Sequence, residues 1–220
     1  MSASELPEYA RVVVIGGGII GCSVAYHLAE MGCEDVVLLE RDQLTSGTTW
    51  HAAGLMTTFG SGSETTLGIR QHSMELYKRL EEETGQHTGF HPCGFIEVAA
   101  GEDRLEEYRR ITAFNRLHGN DIQEISPSEV RELFPFAEID DISAGFYAEH
   151  DGRINPVDVT MALAKGARMK GAKLVQNTPV RGVLTRNGTV TGVRTDRGEI
   201  RSEFVVNCAG MWARQLGEQS

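Results

Sequence analysis

Three glycines in fixed register constrain this chain more than any other feature. Gly16-x-Gly18-x-x-Gly21 lies between a β-branched run, Val12-Val13-Val14-Ile15, and a segment in which Ala25, Leu28 and Ala29 recur at helical spacing. An apolar run with no polar residue is expected for a parallel strand buried on both faces. The helix should run from Ile19 to Met31 and stop at Gly32, where a glycine ends helices without steric cost. Val36-Val37-Leu38-Leu39-Glu40 then reads as a second buried strand that ends in a carboxylate. The whole is a βαβ unit, whose crossover should be right-handed. Gly16 is expected to make the tight turn, Gly18 to let the backbone approach a pyrophosphate, and Gly21 to allow close helix–strand packing. The helix N-terminus offers free N–H groups and partial positive charge to phosphates. Glu40, 19 residues after Gly21, is placed to accept both ribose hydroxyls.

Such a site takes either a nicotinamide or a flavin dinucleotide. An intact nicotinamide domain continues with alternating strands and helices. Here a long loop rich in Gly, Ser and Thr spans Arg41 to Ser63, and an inserted helical region follows, with regular short strands returning only after Gly171. That order favours FAD. Loops this long in a compact domain are usually functional. Ser61 with Glu64 resembles a capping box for a helix from about Thr65 to Glu83 with Ile69, Leu76, Tyr77 and Leu80 on one face. Phe95 to Val98 and Gly145 to Tyr147 read as strands, Glu102 to His118 as a helix, and Ser126 as the cap of a short helix to Leu133. Asn155-Pro156 should open a helix through Lys170. Four strands are expected after it: Lys173 to Gln176, Val180 to Thr185, Val190 to Thr195 and Phe204 to Cys208. Asn187-Gly188 forms a hairpin between the second and third of these, and a last helix begins near Met211.

Composition excludes several other readings. With 220 residues, 40% hydrophobic and 24% charged, the chain can bury a core of one to two domains. A formal net charge of -10 argues against nucleic acid or an anionic membrane surface as partner. Val12 to Ala29 is uncharged but interrupted by four glycines and His27, so no membrane span is expected. Cys22, Cys33, Cys93 and Cys208 form no C-x-x-C pair and no zinc-ligand spacing, and read as buried thiols in a reducing compartment with no metal. His91, His118 and His150 read as surface histidines.

Ser46-Gly47-Thr48-Thr49-Trp50-His51-Ala52-Ala53-Gly54-Leu55 is the most specific stretch. It offers hydroxyls, glycine amides, an indole and one imidazole, with His51 eleven residues after the ribose carboxylate. A loop leaving that strand can run along an extended dinucleotide toward its reactive ring. With Val-Val-Leu-Leu-Glu40-Arg41, Leu80-Glu-Glu-Glu-Thr-Gly85, Asp151-Gly152 and Val206-Asn-Cys-Ala-Gly-Met-Trp212, it makes the chain resemble, over essentially its whole length, the N-terminal part of the dimethylglycine and sarcosine dehydrogenase family of FAD-dependent amine oxidoreductases.

The resemblance implies an α/β fold: a Rossmann-like FAD-binding domain with a parallel sheet and a β-hairpin or meander, plus part of an inserted α+β substrate domain. Residues 1–90 and 151–220 would form the FAD domain and residues 91–150 part of the substrate domain. In that family the histidine matching His51 is bonded covalently to the flavin 8α carbon. Gly47, Thr48, Thr49, Trp50, Ala52, Ala53, Gly54 and Leu55 would wrap the pyrophosphate and isoalloxazine, Glu40 and Arg41 the ribose side, Val180 the adenine through its main chain, and Trp212 the cofactor near Ala209 and Gly210. The family reaction is oxidative demethylation of a small N-methyl amine, with an electron-transfer flavoprotein or oxygen as acceptor. Tetrahydrofolate enters only where a further C-terminal domain exists. No catalytic acid or base is assignable, because the family's substrate-side residues lie beyond the position of Ser220, so the 220 residues are expected to be the front part of a longer polypeptide. Related alternatives are an FAD oxidoreductase of another secondary amine or amino acid, and a non-catalytic regulatory subunit of the same fold. The expected location is cytoplasmic, or the mitochondrial matrix in a eukaryote, although the residues before Arg11 carry Glu5 and Glu8 and no presequence-like arginines.

Overall fold

The computed structural model of the chain describes residues 6–218. In chain order, β1 (Tyr9–Ile15), α1 (Ile19–Glu30) and β2 (Val36–Leu39) form the expected βαβ unit. They are followed by β3 (Leu55–Met56), α2 (Glu64–Thr84), β4 (Phe95–Ala99), α3 (Glu102–Leu117), β5 (Gln123–Ile125), α4 (Pro127–Leu133), β6 (Ala144–Ala148) and β7 (Gly152–Arg153). The chain then forms α5 (Pro156–Met169), β8 (Lys173–Val175), β9 (Val180–Arg186), β10 (Thr189–Thr195), β11 (Gly198–Asn207) and α6 (Ala213–Glu218). Single 3-10 turns lie at Thr49–His51 and Gly210–Trp212.

Two compact units result, Met1–Ala53 with Arg79–Thr88 and Asn155–Ser220, and Gly54–Lys78 with Gly89–Ile154. The first carries a six-stranded sheet in the order β8-β2-β1-β11-β10-β9. Its first four strands are parallel, and β11, β10 and β9 form an antiparallel meander. Alternation along β1 and β2 explains their unbroken apolar sequence. Val13, Ile15, Val37 and Leu39 join Val175, Val193, Ile200 and Leu216 of α6 in one cluster. Val12, Val14, Val36 and Leu38, which point to the other face, are also buried. Helix α1 packs on α5, where Gly166 makes room for Tyr26: a Cβ at Gly166 would lie 2.7 Å from the ring. The Tyr26 hydroxyl donates to Glu83 at 2.7 Å and Glu30 at 3.2 Å.

The second unit is built on a three-stranded antiparallel sheet in the order β4-β6-β5. Phe59, Tyr108 and Phe146 pack together in its core with ring centroids 5.1 to 6.0 Å apart, Tyr108 edge-on to both phenylalanines. Residues Gly54–Lys78, which sequence placed with the first domain, cluster with this unit.

Several expectations are corrected. Ser63, rather than Ser61, caps α2, its Oγ accepting the N–H of Thr66 at 3.3 Å, while Ser61 donates to the Thr58 carbonyl. Ile69 is 62% exposed; Leu67 and Met74 take the buried positions of α2 with Leu76 and Leu80. Strand β11 begins at Gly198, six residues before the expected Phe204, because charged Glu199, Arg201 and Glu203 alternate with buried Ile200 and Ser202 and conceal its apolar signal. The short strands β3, β5 and β7 carry no run long enough to announce them. His91 and His150 are exposed as expected, whereas His118 is half-buried with Nδ1 2.9 Å from the Phe114 carbonyl.

Candidate dinucleotide site

The site begins where β1 ends. Ile15 passes into Gly16, whose φ of 111° lies in the region that favours glycine, and whose missing side chain leaves room for the carbonyl of Cys208 at the end of β11. Backbone bonds from Gly16 N–H to Leu39 O (2.9 Å) and from Cys208 N–H to Ile15 O (2.8 Å) fasten this turn to both neighbouring strands. Gly21 lies against the Gly16 carbonyl, where a Cβ would overlap, so it performs the packing task expected of it. Gly17, which the spacing rule leaves free, is equally restricted: a Cβ there would lie 2.6 Å from Leu44 Cδ2 and 2.9 Å from Glu40 Cβ. The middle glycine of the uninterrupted triplet was the available signal.

Glu40 is buried, 9% exposed. Its Oε2 accepts the N–H of Gly17 at 2.6 Å and its Oε1 that of Asp42 at 2.9 Å. A carboxylate has about four lone-pair sites, so these two bonds orient it and leave acceptor capacity for a diol. Gly18 is the N-cap of α1 and supplies no side-chain cap, and the first turn carries no acidic residue. Thr49 Oγ1 caps it instead, accepting the N–H of Ile19 at 3.0 Å from thirty residues away.

The loop after β2 is fastened over the glycine turn. Thr45 N–H donates to Gly17 O at 3.0 Å, and Leu44 N–H to Gln176 Oε1 at 2.8 Å. Gln176 is a positioning residue that sequence missed, since nothing local marks a contact across 132 residues. His51 N–H then closes on Thr48 O at 3.1 Å. Within this turn the rings of Trp50 and His51 stack at 3.6 Å between centroids, and both residues are exposed. The Arg41 guanidinium lies over the Trp212 indole, 3.9 Å from its centroid.

These elements enclose a cleft of about 500 Å³. Of the expected residues, Gly16, Gly18, Glu40, Arg41, Gly47, Thr48, Thr49, Ala52, Val180, Ala209, Gly210 and Trp212 form its wall. Pro179, Arg181, Gln215 and Leu216 also line it and were not foreseen. Gly21, Trp50, His51, Ala53, Gly54 and Leu55 stand outside the wall. Gly54 and Leu55 belong to the second unit, where Gly54 O accepts the N–H of Ile154 at 2.8 Å and Leu55 pairs with Arg153. The cradle fits a dinucleotide by its own chemistry: a glycine turn with no space for side chains, a helix N-terminus without neutralising acid, and an oriented buried carboxylate. Among the described residues no helix is long and apolar enough to cross a membrane.

Comparison with known proteins agrees with this geometry. Residues 11–220 match the FAD dependent oxidoreductase (DAO) family. Dimethylglycine dehydrogenase of Rattus norvegicus is 44% identical over 99% of the chain and 25% of its own length. Sarcosine dehydrogenase of Homo sapiens is 40% identical over 98% of the chain and 24% of its own length. The pyruvate dehydrogenase phosphatase regulatory subunit of Mus musculus is 42% identical over 96% of the chain and 24% of its own length. The chain therefore spans about a quarter of the length of these relatives. Among solved structures, L-proline dehydrogenase from P. horikoshii superposes with a TM-score of 0.90 at 30% identity, over 97% of this chain and 56% of that one.

Proposed function

The chain belongs to the family of FAD-dependent oxidoreductases, and on that premise we propose that it is the FAD-binding front part of an enzyme that oxidatively demethylates a small N-methyl amine such as dimethylglycine or sarcosine. The observation that carries this reading is the assembly of the glycine turn, Glu40, the Gly47–Thr49 loop and the Ala209–Trp212 turn around one cleft. Gly16 to Gly18 and the start of α1 receive the pyrophosphate, Glu40 the ribose hydroxyls, and Val180 the adenine. Trp212 and Arg41 close the ribose side as a stacked pair. His51, at the end of the loop, carries a covalent bond to the flavin 8α carbon. When bound, the flavin supplies the acceptor for a hydride equivalent from the N-methyl carbon. The chain holds that acceptor in place and lines its dinucleotide half.

In this reading the first unit, which lies within residues 1–90 and 151–220, serves the cofactor, and the second, which holds residues 91–150, serves the substrate side. Electrons leave to an electron-transfer flavoprotein or to oxygen. Folate takes part only in a polypeptide that carries a further domain for it. In a eukaryote the site of action is the mitochondrial matrix, in line with the mitochondrial dehydrogenases it resembles. A second reading, oxidation of another secondary amine or amino acid, is supported by the L-proline dehydrogenase superposition.

Two experiments test these readings. Acid precipitation of the protein purified with flavin should give a yellow, fluorescent pellet, and His51→Ala should leave the flavin in the supernatant. A colourless wild-type pellet removes the role given to His51. Anaerobic mixing of the full-length polypeptide with dimethylglycine, sarcosine, proline and other amines reports the substrate by bleaching of the flavin. Bleaching by proline alone would replace the first reading with the second, and no bleaching by any amine would favour a regulatory role.

A further inference from the structure

Asp151 opens the Asp151-Gly152 pair, one of the stretches that carry the family resemblance, yet its side chain has no part in the reading above. It is 1% exposed. Its Oδ2 accepts the N–H of Thr58 at 2.8 Å and its Oδ1 accepts the Thr58 hydroxyl at 2.7 Å. Arg70 of α2 holds the same segment, Nη1 donating to Phe59 O at 2.6 Å and to Thr57 O at 3.3 Å. Ser61 donates to Thr58 O at 3.2 Å, and Asn115 Nδ2 to Ser61 O at 3.4 Å. Residues 57–61 belong to no helix or strand. Charged and polar side chains from α2, α3 and the β6–β7 turn therefore replace the ladder that would otherwise satisfy these backbone groups. Asp151 is itself fixed: its carbonyl accepts the N–H of Gly94 at 2.8 Å, and Gly152 lies so close to the His91 carbonyl that a Cβ would overlap it.

An ionised carboxylate is a costly way to fill a buried position. Burial pushes the Asp151 carboxyl above its ordinary range, opposed by the donors of Thr58, the N–H of Phe59 and the charge of Arg70. What the carboxylate supplies is a single conformation for a segment that begins six residues after His51.

We propose that Asp151, assisted by Arg70, is a positioning residue for the cofactor loop. It fixes residues 57–61 and so the downstream end of the stretch that carries His51, as the bond of Thr49 to Ile19 fixes the upstream end. This inference rests on the reading that His51 carries the flavin bond.

The test uses the full chain, reconstituted from the flavin-free form with FAD. Asp151→Ala should slow covalent incorporation by about tenfold to a hundredfold, the scale of a small misplacement near reacting atoms. Non-covalent FAD affinity, set by the glycine turn and Glu40, should change by less than about threefold, within the scatter of a remote substitution. Asp151→Asn, which keeps one acceptor oxygen, should fall between. Hydrogen exchange in the flavin-free chain should quicken over residues 46–61 and stay unchanged in β1 and α1. Unaltered incorporation in a folded Asp151→Ala chain, or faster exchange confined to residues 57–61, overturns the proposal. Where Asp151→Ala does not fold, Thr58→Val, which removes one of the two bonds, carries the same comparison. If the wild-type chain forms no covalent flavin, the His51 reading fails separately, and exchange over residues 46–56 still decides the role of Asp151.

Discussion

Thr49 Oγ1 accepts the backbone N–H of Ile19 at 3.0 Å, so the helix that should face the pyrophosphate is capped by the loop that should reach the flavin. Replacing a side-chain cap by an apolar residue typically costs about 1 kcal/mol. Thr49→Val should therefore lower stability by about that amount in urea unfolding and weaken FAD binding several-fold in a fluorescence titration. Thr49→Ser should retain both properties. Equal behaviour of the Val variant and the wild type would mean that the bond does not couple loop and helix.

Gly21 and Gly32 should fail for different reasons. A side chain at Gly21 would overlap the Gly16 carbonyl, whereas at Gly32 nothing lies within 4 Å and only the φ of 81° is unfavourable. Gly21→Ala should lose about 1–3 kcal/mol by overpacking. Gly32→Ala should lose about 1 kcal/mol by strain in the left-handed region. Thermal unfolding measures both, and only the first variant should also impair FAD binding.

The Tyr26 hydroxyl gives an alkaline signature. Burial first, and the hydrogen bond to Glu83 second, push its phenol above the ordinary value of 10.0. The folded chain keeps this proton after the unfolded chain has released its own. The corresponding stability is present in full below pH 10 and is lost as pH rises through the higher native value. In Tyr26→Phe that loss is absent, so the stability difference between the two chains, followed by urea titration, should change only above about pH 10. A constant difference up to pH 12 would contradict the assignment.

Cys22 and Cys93 should separate in a thiol assay. Burial pushes the Cys22 thiol up to about 12, with its Sγ directed at the Gly17 carbonyl, whereas Cys33 and Cys208 are half-buried and Cys93 is exposed, against the expectation of four buried thiols. Iodoacetamide at pH 8 reacts with thiolates, so peptide mapping should find Cys93 alkylated within minutes and Cys22 only after unfolding. Early labelling of Cys22 would show that the glycine turn opens in the native chain.

Local chemistry made part of this architecture readable. The glycine register and the apolar strands around it act through neighbours in sequence, and the structure forms the expected turn between β1 and α1. Asn155 likewise caps α5, its Oδ1 accepting the N–H groups of Val157 and Asp158. Ile69 misled because helical periodicity offers more than one apolar stripe on α2, and only tertiary packing selects the buried one. Ser61 and Ser63 both sit ahead of α2, and the choice between them depends on Asn115 and Thr58, which are distant or irregular. Gln176 on Leu44 and Asp151 on Thr58 are bonds across 132 and 93 residues, for which sequence spacing carries no signal.

Strand β11 changes partners at Arg201, which pairs with Gly192 of β10 on one side and Tyr9 of β1 on the other. The first strand of the chain thus gains this neighbour only from residues nearly two hundred positions later. Closing so large a loop adds little to its equilibrium cost, but it delays folding. On a ribosome the glycine turn emerges early and stays without its Cys208 side until β11 follows. The dinucleotide cradle is therefore written first and assembled last, and a nascent chain stalled before β11 should display the nucleotide signature without the ability to hold a nucleotide.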